Sequence, residues 1–274
     1  MKRIYILIAA AAVSAVSSCK KDEMTAIDIR TEIQGEGITK SPVLDDQGKG
    51  SFSNGDTFTL LVSNGNGEIS PFEYTVGSTG LYWKDIETAE GNGLYDFSAC
   101  CPPAQTEKGI FTFDLNDTPD RDLLIARTSA VQSGTGSPVT LTFRHAMHRL
   151  KVTYTSDMDI DGISTVCNGI STCEVNLPAG TLTAGTATSD FEKTGKEAAF
   201  LLVPQKASGV TLTATVEGKE YTFVLSELKQ DLENLEGGMQ LTVAFRVKKD
   251  NITIDDITIE GWGNQGTIEG DIII

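Results

Sequence analysis

The sequence predicts an all-β protein built as two successive sandwiches, with one short helix in the second. Three observations carry this. Short runs alternate apolar and polar residues with a period of two, as at Ile27 to Ile33, Phe58 to Val62 and Leu241 to Val247. The chain holds 27 glycines, and its apolar runs are short and separated by turn residues. Only one stretch shows a helical period: Leu225, Leu228, Leu232 and Leu235, spaced by three and four. At 274 residues the chain can bury one large β core or two ordinary ones, and 39% hydrophobic residues fit a folded protein. The net charge of −16 argues against nucleic-acid partners, which need a basic stripe, and against surface-charge adhesion to anionic lipid.

The elements follow in chain order. Lys2 and Arg3 precede a 13-residue apolar stretch from Ile4 to Val16, too short to span a bilayer and patterned as an export signal. Residues 26–34 read as a half-buried strand, with Ile27, Ile29, Thr31 and Ile33 on one face and Asp28, Arg30, Glu32 and Gln34 on the other. The glycine-rich, acidic segment 35–50 reads as a loop. Phe58, Leu60 and Val62 form a strand leading into the hairpin signal Asn64-Gly65-Asn66-Gly67. Further strands are expected at 81–83, 94–99, 110–115, 122–127, 139–143, 150–155, 173–177, 198–203, 210–216 and 219–225. The leucine-patterned helix follows, with Ser226 as its N-cap and Gly237-Gly238 as its stop. Strands at 239–248 and 252–260 come next, and a switch of apolar parity across Asp255-Asp256 predicts a bulge in the last. The break between sandwiches is placed near 145–150.

Catalytic chemistry finds little support. Two histidines offer few general bases, and no Gly-x-Ser-x-Gly elbow is present. His145 and His148 have an H-x-x-H spacing, but no glutamate follows His145 and no third ligand stands nearby, so structural placement at the junction is the favoured reading. Asp157, Asp159, Asp161 and Gly162 reproduce the opening of a calcium loop; Asn168 stands where the bidentate glutamate belongs, and an acidic turn in water is the favoured reading. Cys167 and Cys173 flank Asn168-Gly169, and a disulfide across that turn is expected in an exported chain. Cys100 and Cys101 read as free buried thiols, and Trp83 and Trp262 as packing residues. No cofactor is expected.

Three resemblances extend this reading. Val16-Ser17-Ser18-Cys19 resembles the lipobox of bacterial lipoproteins, which implies acylation of Cys19 and cleavage before it. Lys21, Asp22 and Glu23, just beyond Cys19, resemble the surface-export signal of Bacteroidetes lipoproteins. The wider pattern runs through Ser51 to Asp56 (SFSNGD), Tyr95 to Ala99 (YDFSA) and Asp122 to Ala126 (DLLIA). It continues through Val139 to Tyr154 (VTLTFRHAMHRLKVTY), Phe200 to Gln205 (FLLVPQ), and Asp250 to Trp262. In this order the motifs resemble the fimbrillin superfamily (Mfa-like/FimA-like) of Bacteroidales, the lipoprotein precursors of type V pili.

The resemblance implies two transthyretin-like sandwiches and a pilus subunit, structural or adhesive, and not an enzyme. It implies a signal peptide at 1–18, a plug strand within 19–40, and sandwiches at 41–148 and 149–274. A trypsin-like protease would cut after Lys40, where the family often has arginine, or after Arg30. The vacated groove would accept a strand from the next subunit, with Ile272, Ile273 and Ile274 as donor candidates. The implied partners are other pilus subunits, the activating protease, and outer-membrane lipid through acylated Cys19. The competing reading is a monomeric surface lipoprotein that binds glycan or host protein; a carboxylate-pair glycosidase is the third.

Overall fold

The computed structural model describes residues 25–34, 52–64, 69–86, 93–157, 162–248 and 251–261. The signal segment, Cys19, Lys21, Asp22, Glu23, Lys40, the tip of the 64–67 hairpin, Asp159, Asp161, Trp262 and Ile272 to Ile274 lie outside them.

The chain is all-β. The N-terminal half holds β1 (Ile29–Ile33), β2 (Thr57–Asn64), β3 (Ile69–Thr75), a one-turn helix α1 (Trp83–Ile86), β4 (Leu94–Cys101), β5 (Ile110–Asp114), β6 (Leu124–Gln132) and β7 (Val139–His145). The other half holds β8 (His148–Ser156), β9 (Ser164–Ile170), β10 (Thr172–Asn176), β11 (Thr181–Ala184), β12 (Thr188–Thr194), β13 (Glu197–Leu202), β14 (Gln205–Lys206), β15 (Thr211–Val216), β16 (Lys219–Val224), the one-turn helix α2 (Leu225–Leu228), β17 (Asn234–Leu235), β18 (Met239–Lys248) and β19 (Asn251–Gly261).

Six strands form the first sheet in the order β1-β7-β6-β4-β2-β3. Both of its faces are covered. Phe58, Leu60, Phe97, Ala99, Leu124, Leu141 and Phe143 join one core. Their neighbours of opposite parity, Leu61, Cys100 and Ile125, join another, shared with β5 and β10. This double burial explains the nearly continuous apolar runs of β2 and β4, since a strand covered on both sides has no polar face to present. The edge strand β3 carries Pro71 opposite Leu61.

The second sandwich packs sheet β13-β8-β18-β19 on sheet β12-β9-β15-β16. Leu150, Val152, Phe200, Val243 and Phe245 of the first meet Cys167, Leu212 and Ala214 of the second. The expected bulge is present: Ala244 pairs with Asp256 and Phe245 with Ile254, leaving Asp255 over.

Three expectations are corrected. Residues 81–83 form no strand; Tyr82 makes a single bridge to Ala26, and Trp83 opens α1 with its indole fully buried. The leucine-spaced helix is one turn, Leu225–Leu228, with no side-chain cap, and Leu235 belongs to β17. All four leucines still reach one core, from three different local structures. Gly237 serves close approach and not helix termination: a Cβ there would come within 2.5 Å of the Ala146 carbonyl oxygen. The third correction concerns Cys167 and Cys173, which are free and buried. Extended backbone runs on both sides of Ser171, placing Cys167 in β9 against Phe191 and Leu212, and Cys173 in β10 against Phe113 and Ala184. They serve separate cores, and a disulfide needs Cα atoms within about 7 Å.

A three-stranded sheet, β11-β10-β5, joins strands from either side of residue 148. It packs on the second face of the six-stranded sheet and forms a third cluster with Met147 and Val203.

Candidate functional site

The N-terminal strand is held differently from every other strand of its sheet. β1 pairs in parallel with β7, from Ile29 opposite Val139 to Ile33 opposite Phe143. Just before it, Ile27 N–H donates to the Leu81 carbonyl (2.8 Å) and Trp83 N–H to the Thr25 carbonyl (3.1 Å). Val139 N–H donates to Asp28 (2.8 Å) and Gln34 N–H to Phe143 (2.8 Å). The segment is therefore clamped between α1's approach and β7. Its alternation decides the rest: Ile27 and Ile33 are buried in the core beside Phe58 and Phe143, and Ile29 packs against them. Asp28, Arg30, Glu32 and Gln34 face water. Burial of two isoleucines contributes about 3–6 kcal/mol. Without this segment, the Trp83 and Val139 N–H groups, the Leu81 and Phe143 carbonyls, and an apolar trough would be left open.

Arg30 is exposed and pairs with Asp28 at 3.3 Å. A cut after it would leave Thr31 to Ile33 still laddered on β7. Asp157 is exposed and lies 3.7 Å from Arg246. Among the described residues no group of three or more His, Cys, Asp or Glu side chains is placed to hold a metal ion.

Both histidines lie in the buried link between β7 and β8. His145 Nδ1 lies 2.6 Å from Asp122 Oδ2, with both side chains almost wholly inaccessible. The other Asp122 oxygen accepts the Met147 N–H at 3.2 Å. Burial pushes the Asp122 carboxyl up from its ordinary range, while the His145 hydrogen bond opposes that shift. His148 Nδ1 donates to the Glu236 carbonyl at 2.9 Å, and its Nε2 is buried without a partner. Burial pushes this imidazole down to about 4, against the opposing hydrogen bond to Glu236. Asp122 was not singled out from sequence; it stands 23 residues from His145, and only the fold brings them together. The thiols are equally spent on packing. Burial pushes Cys100, Cys167 and Cys173 up to about 12 and Cys101 to about 11.

Fold and site together define an all-β protein with one sheet completed by its own N-terminal segment, and with both histidines and the four described cysteines committed to the interior. The fimbrillin-like family matches residues 45–262, and the chain belongs to that family. No curated protein sequence matches the chain significantly. Solved structures share the fold at low identity. A protein of Bacteroides uniformis, provisionally named a cell adhesion protein, is 17% identical, covering 88% of this chain and 99% of its own, with a TM-score of 0.63. A similarly named protein of Bacteroides ovatus is 15% identical over 90% and 99%, with a TM-score of 0.57. One from Bacteroides thetaiotaomicron, provisionally named an adhesin, is 12% identical over 87% and 97%, with a TM-score of 0.52. Among the described residues no helix is long and apolar enough to cross a membrane.

Proposed function

We propose that this chain is a structural or adhesive subunit of a cell-surface pilus, non-enzymatic, and delivered as a lipoprotein acylated on Cys19. In this reading β1 completes the N-terminal sheet of the precursor until a trypsin-like protease removes it, and a strand of the next subunit takes its place. The observation that carries the reading is the parallel edge pairing of β1 with β7, with Ile27 and Ile33 seated in the core. Membership of the fimbrillin-like family supports it, and supports a location at the cell surface. Cleavage after Lys40 would release the whole strand, whereas cleavage after Arg30 would release only part of it. The apolar tail Ile272-Ile273-Ile274 is the proposed donor. Residues 41–148 and 149–274 remain the proposed sandwiches, tied by the sheet that spans them.

The test is trypsin treatment of the purified surface protein, with N-terminal sequencing and gels run under mild denaturation. The expected result is an N-terminus at Ser41 (or Thr31 if Arg30 is used) and a regular ladder of polymers. Deleting residues 267–274 should leave folded monomer that does not extend. Filaments that keep the intact lipid-bearing N-terminus would overturn strand removal. A monomer that never forms a ladder would return the protein to the monomeric lipoprotein reading.

A further inference from the structure

The chain has only seven arginines, and two of them converge on one cavity. Ile125 of β6 lies opposite Arg144 of β7, so Arg127 and Thr142, two residues along each strand, share that face. Ile125 belongs to the core under the three-stranded sheet, which places this face opposite the one that receives Ile27 and Ile33. The turn after β10 folds over it. Leu177 N–H donates to Gly109, Ala179 N–H to Asn176 Oδ1, and Gly180 N–H to Leu177. Gly180, at φ +66°, makes the left-handed turn this needs. The space is a half-open pocket of about 280 Å³, with the edges of the buried Ile125 and Leu177 at its base, the exposed Ala179 on the turn, and Arg127, Arg144 and Thr142 around its mouth; no lining residue is acidic.

The two guanidinium groups are held differently. Arg127 Nη2 donates to Asp96 Oδ2 at 3.1 Å, and Asp96 Oδ1 accepts the Ala130 N–H at 2.9 Å, so this cation is held in place by a half-exposed ion pair and keeps its other donors. Arg144 Nη2 donates to the neutral Gly180 carbonyl at 3.1 Å. Among the described residues it makes no ion pair, and a guanidinium has five donors. Its charge and most of its donors remain available beside an apolar wall. A guanidinium fork matches the two oxygens of a carboxylate, and it is weakly hydrated enough to give up water for that pairing. Thr142 adds a hydroxyl, and the aliphatic walls suit the C–H face of a small ring. The volume, at the small end of ligand pockets, admits one monosaccharide-sized group.

We propose that this cavity binds the carboxylate of a single acidic sugar, with Arg144 as the principal fork, Arg127 as the second cation and Ile125, Leu177 and Ala179 against the ring. The long-range field of a chain at −16 opposes any anion, so recognition rests on these short-range contacts. Because the cavity lies on the other face of the sheet from the β1 trough, it is testable in the uncleaved monomer. Its failure would leave the assembly reading untouched.

The experiment is a calorimetric titration of the full folded chain with glucuronate, and in parallel with glucose and with acetate. Glucuronate should bind with a millimolar Kd, glucose should show no binding, and acetate should bind at least ten-fold more weakly. Arg144→Gln should lower glucuronate affinity at least ten-fold with the thermal transition unchanged. Ala179→Phe, which fills the cavity from the turn and keeps both arginines, should do the same. Equal binding of glucose and glucuronate, no binding of glucuronate, or unchanged affinity in both variants would overturn the site. Acetate binding as tightly as glucuronate would overturn the sugar assignment.

Discussion

At the scale of residues, the junction between the halves is governed by two buried histidines with different partners. His145 faces a carboxylate, whereas His148 faces a carbonyl and presents a bare Nε2 to the interior. Protonating His148 would place a charge there with nothing to receive its second proton. The folded imidazole titrates at about 4 and the unfolded one at about 6.5, so the fold binds this proton less readily than the unfolded chain does. The associated stability is therefore present above about pH 6.5 and is lost as the pH falls toward 4. By pH 4.5 about 2–3 kcal/mol of it is lost. Replacing His148→Gln keeps a donor for the Glu236 carbonyl and removes the titration. The urea midpoint of the parent should fall between pH 7 and pH 4.5 by more than that of the variant. Equal falls would mean that other groups carry the acid sensitivity, with Asp122 the next to test.

At the scale of elements, the core facing β1 is contributed mostly by β2, β4, β6 and β7, so the rest of the fold is expected to survive its loss. A chain beginning at Ser41 should stay folded but bind an apolar dye, and should lose about 3–6 kcal/mol of stability. A peptide of residues 25–34 added in trans should restore both, whereas the same peptide with Ile27 and Ile33 changed to Asp should not. Dye binding unchanged by truncation would mean the trough closes on itself. Loss of β1 also removes Glu32, which lies opposite Thr142 of the arginine-lined cavity.

Strands like β1, β8 and β18 were legible because one face is apolar and the other polar. β9 was not, because its inward residues are Thr165, Cys167 and Gly169, which carry no hydrophobic signal although they are buried. β12 was missed for a related reason: its residues are half-buried at most, and Phe191 is its one large apolar side chain. The false helix at 225–235 shows the converse. Spacings of three and four arise equally from a helix and from a turn followed by a short strand when both bury leucines in one core. The cavity of Arg127 and Arg144 was equally hidden, since its floor and roof lie 33 to 55 residues apart in the chain.

At the scale of the whole molecule, the sheet β11-β10-β5 ties the two halves together, and we expect them to unfold as one. β5 has its pairing partner beyond residue 148, and Phe113 and Leu115 share their core with Cys173 and Val175. A fragment of residues 41–148 would leave that face of the six-stranded sheet bare. It should be soluble only as an aggregate-prone, partly folded species, while the full chain should unfold in a single transition by both fluorescence and circular dichroism. Two separated transitions, or a monomeric fragment with native-like dispersion of its amide resonances, would show that the halves fold alone.

Pro71 gives the six-stranded sheet a valence. A sheet with two open edges can be extended from both, and such subunits stack without limit into continuous cross-β ribbons. Here one edge is β3, where Pro71 has no N–H to offer an incoming strand, and the other is the place of β1. Vacating β1 would therefore open one docking position on this sheet and not two. A population of such molecules can accept strands without fusing sheet to sheet, which separates an ordered chain of subunits from an aggregate.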